Sequence, residues 1–270
     1  MPELPEVETT LRGIQPYVLN RRIDRVNVRE SRLRWPVDPR IQKAEGQTIR
    51  RLSRRGKYLL LHLRSGGLLI HLGMSGSLRV LTEPVTPQKH DHFDLELDDD
   101  TCLRFNDPRR FGALLWVDGA VEQHPLLGKL GPEPLTAAFN AEYLYKRSRS
   151  RRLAIKNFIM DGRVVVGVGN IYASEALFMA GIHPSRQAGR IAFHRYQGLV
   201  AAIKDVLESA ISRGGTTLRD FVGSDGAPGY FARELLVYDR AGKGCFQCNA
   251  TIRQKVIGQR SSYYCAVCQR

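Results

Sequence analysis

No apolar run in the chain approaches the roughly 20 residues that a membrane-spanning helix needs. Nor does the amino terminus, MPELPEVETTLRG, have the apolar core of a secretion signal: it is acidic and polar. A cytoplasmic protein is therefore expected. Internal repeats and low-complexity tracts are lacking too, so a solenoid or a tail-like segment is not indicated. Cysteine is scarce, five in 270 residues, and four of the five fall in the last 26, leaving only Cys102 for the rest of the chain. That distribution favours metal binding over disulfides, and Cys102, in the alternating segment TCLRF, reads as a small buried hydrophobe. Negative charge is also short. Against 41 Lys and Arg stand 27 Asp and Glu, a formal net charge of +14 and a sequence isoelectric point near 9.9. Such an excess favours a polyanionic partner, nucleic acid ahead of an anionic membrane surface.

What is present divides the chain. Leu4, Val7, Leu11, Ile14 and Val18 recur every three or four residues, the stripe of an amphipathic helix over 3–18 with acids in its first turn. The next hundred residues change to short β-rich segments at 23–29, 47–53, 58–63, 68–72, 77–81, 93–97, 102–106 and 113–117. Many short strands without long helices between them predict an antiparallel sandwich or barrel. The Pro- and Gly-bearing stretch 128–141 reads as an interdomain linker. Helical patterns follow at 141–147, 150–160, 171–179 and 192–213, with a further short one at 216–222. The fold class is thus multidomain α+β, β-rich first and helical second, with a cleft between the two parts suited to a linear polymer.

The four late cysteines are spaced Cys245-x2-Cys248-x16-Cys265-x2-Cys268. Two CxxC knuckles on a hairpin place four thiolates tetrahedrally, which suits a closed structural zinc site. Iron–sulfur or redox use is the alternative, but redox chemistry at one pair leaves the other unexplained. A site with four protein ligands has no open position, so this metal is structural. Arg253, Lys255 and Arg260 make the intervening loop basic, either to grip a phosphate backbone or merely to keep a small hairpin soluble.

Taken together, PELPEVE at 2–8, RRGKYLLLHL at 54–63, HLGMSG at 71–76, NDPRRFG at 106–112, VVGVGNIYASE at 165–175, GGTTLRDF at 214–221 and the cysteine hairpin at 245–268 resemble the bacterial formamidopyrimidine-DNA glycosylase family over essentially the full length. The resemblance implies an amino-terminal antiparallel β-sandwich catalytic domain with flanking helices over 1–130 and a linker over 131–150. It further implies a helix–two-turn–helix DNA-binding domain over 151–235 and a zinc-finger hairpin over 236–270. The substrate implied is double-stranded DNA containing 8-oxoguanine or ring-opened purines, with cytosine preferred opposite the lesion. The implied enzyme is a monomer located with the bacterial nucleoid, carrying one structural zinc ion and no catalytic metal or organic cofactor.

The same resemblance assigns roles. Once Met1 is removed, Pro2 would be the amine that attacks C1′; Glu3 is the matching catalytic acid, and Glu6 orients the amino terminus or assists proton transfer. A free α-amine titrates at about 7.7–8.0, so a useful fraction is nucleophilic near neutrality. Lys57 matches a phosphate-binding lysine near the reacting sugar. Met74, Arg109 and Phe111 match the set that fills the void left by the everted nucleoside, Phe111 as a wedge and Arg109 facing the estranged base. Lys156, Asn170 and Arg260 match phosphate ligands, Asn170 also as a helix N-cap, and segment 217–229 matches a loop covering the lesion. Each residue has an ordinary reading as well. Pro2 starts a helix, Glu6 and Glu8 complement its dipole, Lys57 is a solvated edge, Met74 is core, Phe111 anchors a turn, and Arg109 pairs with Asp107. Arg54 and Arg55 add general electrostatic attraction. The rival enzyme class is the endonuclease VIII type, which favours oxidised pyrimidines; the rival of another class is a noncatalytic zinc-containing DNA-binding protein.

Overall fold

The computed structural model of the chain describes residues 2–214 and 235–270. The expected helix at 216–222, the segment 217–229 and most of the GGTTLRDF motif lie outside the described residues. Two compact units emerge, residues 2–128 and residues 129–212 with 235–270.

The first unit begins with helix α1 (Leu4–Val18). A reciprocal capping box starts it, Glu3 accepting from the Glu6 backbone and Glu6 from that of Glu3, with Pro5 in the first turn, where a missing N–H costs nothing. Leu4, Val7, Leu11, Ile14 and Val18 are all buried, each contributing roughly 1.5–3 kcal/mol of apolar burial. The helix ends as Leu19 turns extended and Asn20 takes a left-handed φ of 64°.

Eight strands follow: β1 (Ile23–Val28), β2 (Arg51–Arg55), β3 (Tyr58–His62), β4 (Gly66–His71), β5 (Ser77–Leu81), β6 (Asp91–Leu97), β7 (Cys102–Asn106) and β8 (Ala113–Asp118). They form two four-stranded sheets, β1-β6-β7-β5 and β2-β3-β4-β8, with every pairing antiparallel. Phe93 and Phe105 stack at 4.9 Å in the core, joined by Leu59, Leu61, Leu68 and Ile70 and by the apolar stripe of α1. The antiparallel sandwich is as expected. The strand read at 47–53 instead occupies 51–55, because 47–49 bonds back to the α1–β1 connection through Asn20 N–H to Ile49 O and an Arg22–Thr48 bridge. Cys102 is half-buried rather than buried; that burial and the neighbouring Asp94 push its thiol up to about 12, which makes it unreactive. A short helix, α2 (Pro125–Gly128), closes the unit.

The second unit contains α3 (Ala141–Ser148), α4 (Ile155–Met160), α5 (Asn170–Met179), α6 (Phe193–Ser212) and the hairpin β9 (Arg253–Ile257) and β10 (Arg260–Tyr264). Helix α5 is buried on nearly all sides and packs against α6 and β10, while α6 also covers α3. The stretch expected to link domains, 131–150, belongs to this unit: Phe139 is fully buried and Asn140 caps α3 by accepting from Tyr143 N–H at 2.9 Å. The helix expected over 150–160 begins only at Ile155, since Ser150 is left-handed and Ala154 pairs with Gln187 in a bridge. No helix among the described residues is long and apolar enough to cross a membrane.

Candidate functional site

In the first unit, the capping box puts two acids under the amino terminus. Glu3 and Glu6 are each 1% exposed, and Glu3 N–H donates to Glu6 Oε2 at 2.8 Å, so Glu6 fixes the backbone on which Pro2 sits. Pro2 is buried as well. Arg54 ties this helix to the β2–β3 turn, donating to Glu8 Oε2 at 2.9 Å and to the Gly56 carbonyl at 2.9 Å. Burial works against the Glu8 charge, but Arg54 and then Arg12 hold its carboxyl below the usual range. Arg54 therefore has a specific structural role. The turn itself has two residues, Gly56 and Lys57, between the paired Arg55 and Tyr58; Gly56 supplies the left-handed φ of 58° that lets it present Lys57.

Beside Lys57 lies His71, which the sequence reading did not single out. Burial, then Lys57 and Arg34, depress its pKa to about 3, so the imidazole is neutral. Its Nδ1 accepts from Gly73 N–H at 2.9 Å, which leaves the proton on Nε2 and makes that nitrogen a fixed donor. A lysine and a neutral imidazole donor thus stand near one another at this strand end. Its position closing β4 in HLGMSG was the available signal.

Two loops carry Met74, Arg109 and Phe111. Phe111 is 43% exposed, Arg109 is exposed with its guanidinium 5.0 Å from the Phe111 ring centroid, and Met74 is half-exposed. The organiser of both loops is Asp107, fully buried. Its Oδ1 accepts from Ser75 Oγ at 2.6 Å and Arg109 N–H at 3.3 Å, and its Oδ2 from Gly112 N–H at 2.8 Å. Asp107 thus holds the Arg109 backbone and leaves the Arg109 guanidinium to the Phe111 ring. The loops meet backbone to backbone: a Cβ on Gly73 would lie 2.4 Å from Gly112 N, so only glycine fits. Sequence reasoning missed Asp107 as the organiser, although an aspartate preceding Pro108 signals a side-chain-supported turn.

In the second unit, Asn170 is the first residue of α5, and Gly169, in extended conformation, is the N-cap. That replaces the expected Asn170 cap. Asn170 Nδ2 donates instead to Ser261 O on the hairpin at 3.0 Å. Lys156 converges on the same hairpin, its Nζ donating to Ser262 Oγ at 2.7 Å and Ser261 O at 3.1 Å. It is 0% exposed. A hairpin turn at Gly258 and Gln259, both left-handed, brings Arg260 to the surface at the start of β10. Glu175 on α5 completes the frame: 2% exposed, it accepts from the backbone N–H groups of Leu236, Val237 and Tyr238 at 2.7–3.0 Å. Burial raises its pKa although these three bonds oppose the rise.

The four cysteine sulfurs lie within 4.8 Å of one another. Two of the pairs measure 4.0 Å (Cys245–Cys268) and 3.4 Å (Cys248–Cys265). A tetrahedral metal–thiolate site with bonds of about 2.3 Å has sulfur–sulfur edges of about 3.8 Å, so the residues fit one structural ion. Although burial opposes it, backbone N–H groups of Cys268 and Val267 lower the Cys265 thiol to about 7.

Residues 1–114 match the formamidopyrimidine-DNA glycosylase N-terminal domain, and residues 130–222 match the H2TH domain of the same glycosylase. The chain is 58% identical to the formamidopyrimidine-DNA glycosylase of Alcanivorax borkumensis and 57% to that of Magnetococcus marinus, each alignment covering both proteins completely. The chain belongs to the formamidopyrimidine-DNA glycosylase family. Among solved structures, the MutM (Fpg) protein of Thermus thermophilus matches with a TM-score of 0.90 at 38% identity, over 99% of this chain and 98% of that one. A Lactococcus lactis Fpg mutant bound to Fapy-dG-containing DNA matches with a TM-score of 0.92 at 31% identity, over the full length of both.

Within this family frame, the structure brings Pro2, Glu3 and Glu6 together at one helix start, Met74, Arg109 and Phe111 on two coupled loops, and Lys156, Asn170 and Arg260 around one hairpin. Of the last three, Arg260 faces solvent while Lys156 is internal, bonded to the hairpin it was expected to accompany at the DNA.

Proposed function

We propose that the chain is a bifunctional DNA glycosylase and abasic-site lyase that excises oxidised purines opposite cytosine, acting as a cytoplasmic monomer in base-excision repair. The carrying observation is the buried pair Glu3 and Glu6 beneath Pro2, with the Glu3 backbone clamped by the Glu6 carboxylate. With Met1 removed, the Pro2 nitrogen attacks C1′ of the damaged nucleoside and the N-glycosidic bond breaks, the departing base taking a proton. Glu3 protonates the ring oxygen, the sugar opens, and an iminium ion forms on Pro2. Loss of a C2′ proton to a carboxylate then expels the 3′ phosphate by β-elimination. A second elimination removes the 5′ phosphate, and water releases Pro2. Lys57 and the Nε2–H of His71 hold a phosphate flanking the reacting sugar. Met74, Arg109 and Phe111 fill the vacated stack, Arg260 and Asn170 meet backbone phosphates, and Lys156 sets the hairpin that presents Arg260.

Zinc is the metal we assign to Cys245, Cys248, Cys265 and Cys268. Four soft thiolates without an open position suit it, and when bound it supplies folding energy to the hairpin and takes no part in the reaction.

Borohydride trapping on DNA with 8-oxoguanine opposite cytosine, followed by peptide mapping of the reduced adduct, is the test. The adduct is expected on a processed amino-terminal Pro2, while Glu3→Gln loses base excision but retains action on a preformed abasic site. An adduct on Lys57 with Pro2 free and unmodified sinks the mechanism. Thymine glycol belongs in the same assay, because one Lactococcus lactis Fpg complex contains an oxidised pyrimidine. Faster excision of thymine glycol than of 8-oxoguanine would reverse the substrate assignment.

A further inference from the structure

The positive charge is unevenly placed. Residues 129–212 and 235–270 hold 18 Lys and Arg against 7 Asp and Glu, which is +11 of the chain's +14. Its densest run is Lys146-Arg147-Ser148-Arg149-Ser150-Arg151-Arg152, which joins α3 to α4 and includes none of the residues given a role above.

This run is built rather than merely solvated. Arg149 lies 3.8 Å from the Tyr145 ring centroid and donates to Ser148 Oγ at 2.7 Å and Ile191 O at 3.0 Å. Ser150 takes a left-handed φ of 62°, and Arg151 N–H closes the turn on Ser148 O at 3.0 Å. The backbone then runs along 186–189, with Gly189 N–H on Arg151 O at 2.9 Å and Ala188 N–H on Leu153 O at 2.9 Å. A Cβ on Gly189 would stand 2.9 Å from the Arg151 oxygen, so the two segments are in direct backbone contact.

The fixed loop borders a hollow of about 230 Å³ lined by Arg147, Arg151 and Arg163, with Leu153 and Phe158 as its apolar wall. Its single carboxylate, Asp161, is taken by Arg163 at 2.9 Å. Arg147 makes one long bond to Arg163 O, at 3.3 Å, and Arg151 has no side-chain hydrogen bond among the described residues. Three guanidiniums around a cavity with one neutralised acid leave a net positive site, and guanidinium forks match phosphate geometry.

We propose that this hollow binds a phosphate of duplex DNA independently of any lesion, giving the second unit a hold on undamaged backbone. The arginines take the phosphodiester oxygens, and the exposed Leu153 packs against the adjoining deoxyribose. Charge is read here and base identity is not, as suits a contact that keeps the protein on DNA between lesions. The inference rests on the DNA-repair reading for its ligand but not on the Pro2 chemistry.

The test is the Arg147→Gln/Arg151→Gln double variant of the full chain, measured by anisotropy on an undamaged 20-base-pair duplex across roughly 50–200 mM KCl. Each lost phosphate contact flattens the log–log salt slope by about 0.9, so for this one phosphate a slope shallower by about 0.9 and affinity weakened at least about fivefold are expected. The Arg147→Lys/Arg151→Lys variant should restore the slope. Both variants should melt like the wild type, and single-turnover excision with saturating enzyme should stay unchanged. An unaltered slope in the folded Gln variant overturns the proposal. So does saturable binding of inorganic phosphate that the Gln variant loses while its DNA slope is intact, which would assign the hollow to a free anion. A wild-type protein that binds undamaged DNA with a steep slope yet excises no lesion would refute the enzymatic reading and leave this site standing.

Discussion

Replacing Asp107 by asparagine isolates the contact that couples the loop of Met74 to the loop of Arg109 and Phe111. The carboxylate accepts from Ser75 Oγ, Arg109 N–H and Gly112 N–H and has no exposure to solvent. Asparagine keeps the shape but only one acceptor oxygen, so either Gly112 N–H or the Ser75 and Arg109 side faces an NH2 donor. Losing one charge-assisted bond of this kind costs about 1.5–3 kcal/mol. Ser75→Ala, which removes a neutral hydroxyl and leaves both backbone bonds, should cost about 1 kcal/mol, and Asp107→Ala, which strands Gly112 N–H, roughly 4 kcal/mol. Because the loops meet backbone to backbone at Gly73 and Gly112, the loss should appear locally before it appears in global unfolding. Amide exchange at Gly112 and Arg109 is the direct assay, and about 2 kcal/mol corresponds to exchange accelerated roughly 30-fold. A fluorescent base beside the lesion in a stopped-flow instrument should report slower eversion in the order Ser75→Ala, Asp107→Asn, Asp107→Ala. Exchange within about threefold of wild type in Asp107→Asn, together with unchanged base opening, would refute the organising role of Asp107.

Phe111→Ala should slow lesion eversion by about tenfold or more while leaving the melting temperature near wild type, since a side chain 43% exposed contributes little core energy; a lowered melting temperature with normal eversion would make it a packing residue. Cys248→Ser should lose the metal and weaken DNA binding while the first unit stays folded; retention of one equivalent by elemental analysis with unchanged affinity would refute the closed four-thiolate site. His71 gives a pH signature. Its folded pKa of about 3 lies below the reference value of about 6.5, so the unfolded chain binds the extra proton between these values and stability falls as pH drops through that window. His71→Gln should flatten the stability–pH slope between about pH 4 and 6 by about one proton, ~1.4 kcal/mol per pH unit, and an unchanged slope would show the imidazole to be solvated.

Much of the architecture was legible because it follows from periodicity. The α1 stripe repeats at helix spacing and is buried, and the eight β segments are short β-rich runs, several of them buried nearly throughout. What periodicity misread lay where a long-range bond overrides local preference. Segment 47–49 left its strand for the α1–β1 connection, and 150–154 left its helix for a bridge to Gln187. The site divides in the same way. Motifs named Pro2, Glu3, Lys57, Met74, Arg109 and Phe111, whereas Asp107, His71 and Glu175 act through backbone N–H groups contributed by other turns. Such groups leave no side-chain pattern in sequence.

The basic residues show why charge alone misleads about contact. Lys156 lies within the residues that match the H2TH domain, yet its ammonium is enclosed by Ser261 and Ser262 and has no exposure. A lysine held that way sets the register between α4 and the hairpin, and phosphate would have to dissolve that network to reach it. Arg54 and Arg149 are likewise held, one by Glu8 and Gly56 and the other by Tyr145 and backbone carbonyls. Arg109, Arg147, Arg151 and Arg260, all solvent-facing, are among the cations placed to meet a polyanion. Salt titration separates the two groups. Removing a solvent-facing arginine that contacts phosphate should change the slope of binding against salt by about 0.9, while Lys156→Met should lower affinity by displacing Arg260 and leave the number of released counterions lower only by the contact Arg260 makes. A Lys156→Met/Arg260→Gln double variant should therefore show no further loss of slope beyond Arg260→Gln alone. If the slope losses add, Lys156 contacts phosphate directly and its enclosure is not maintained on DNA.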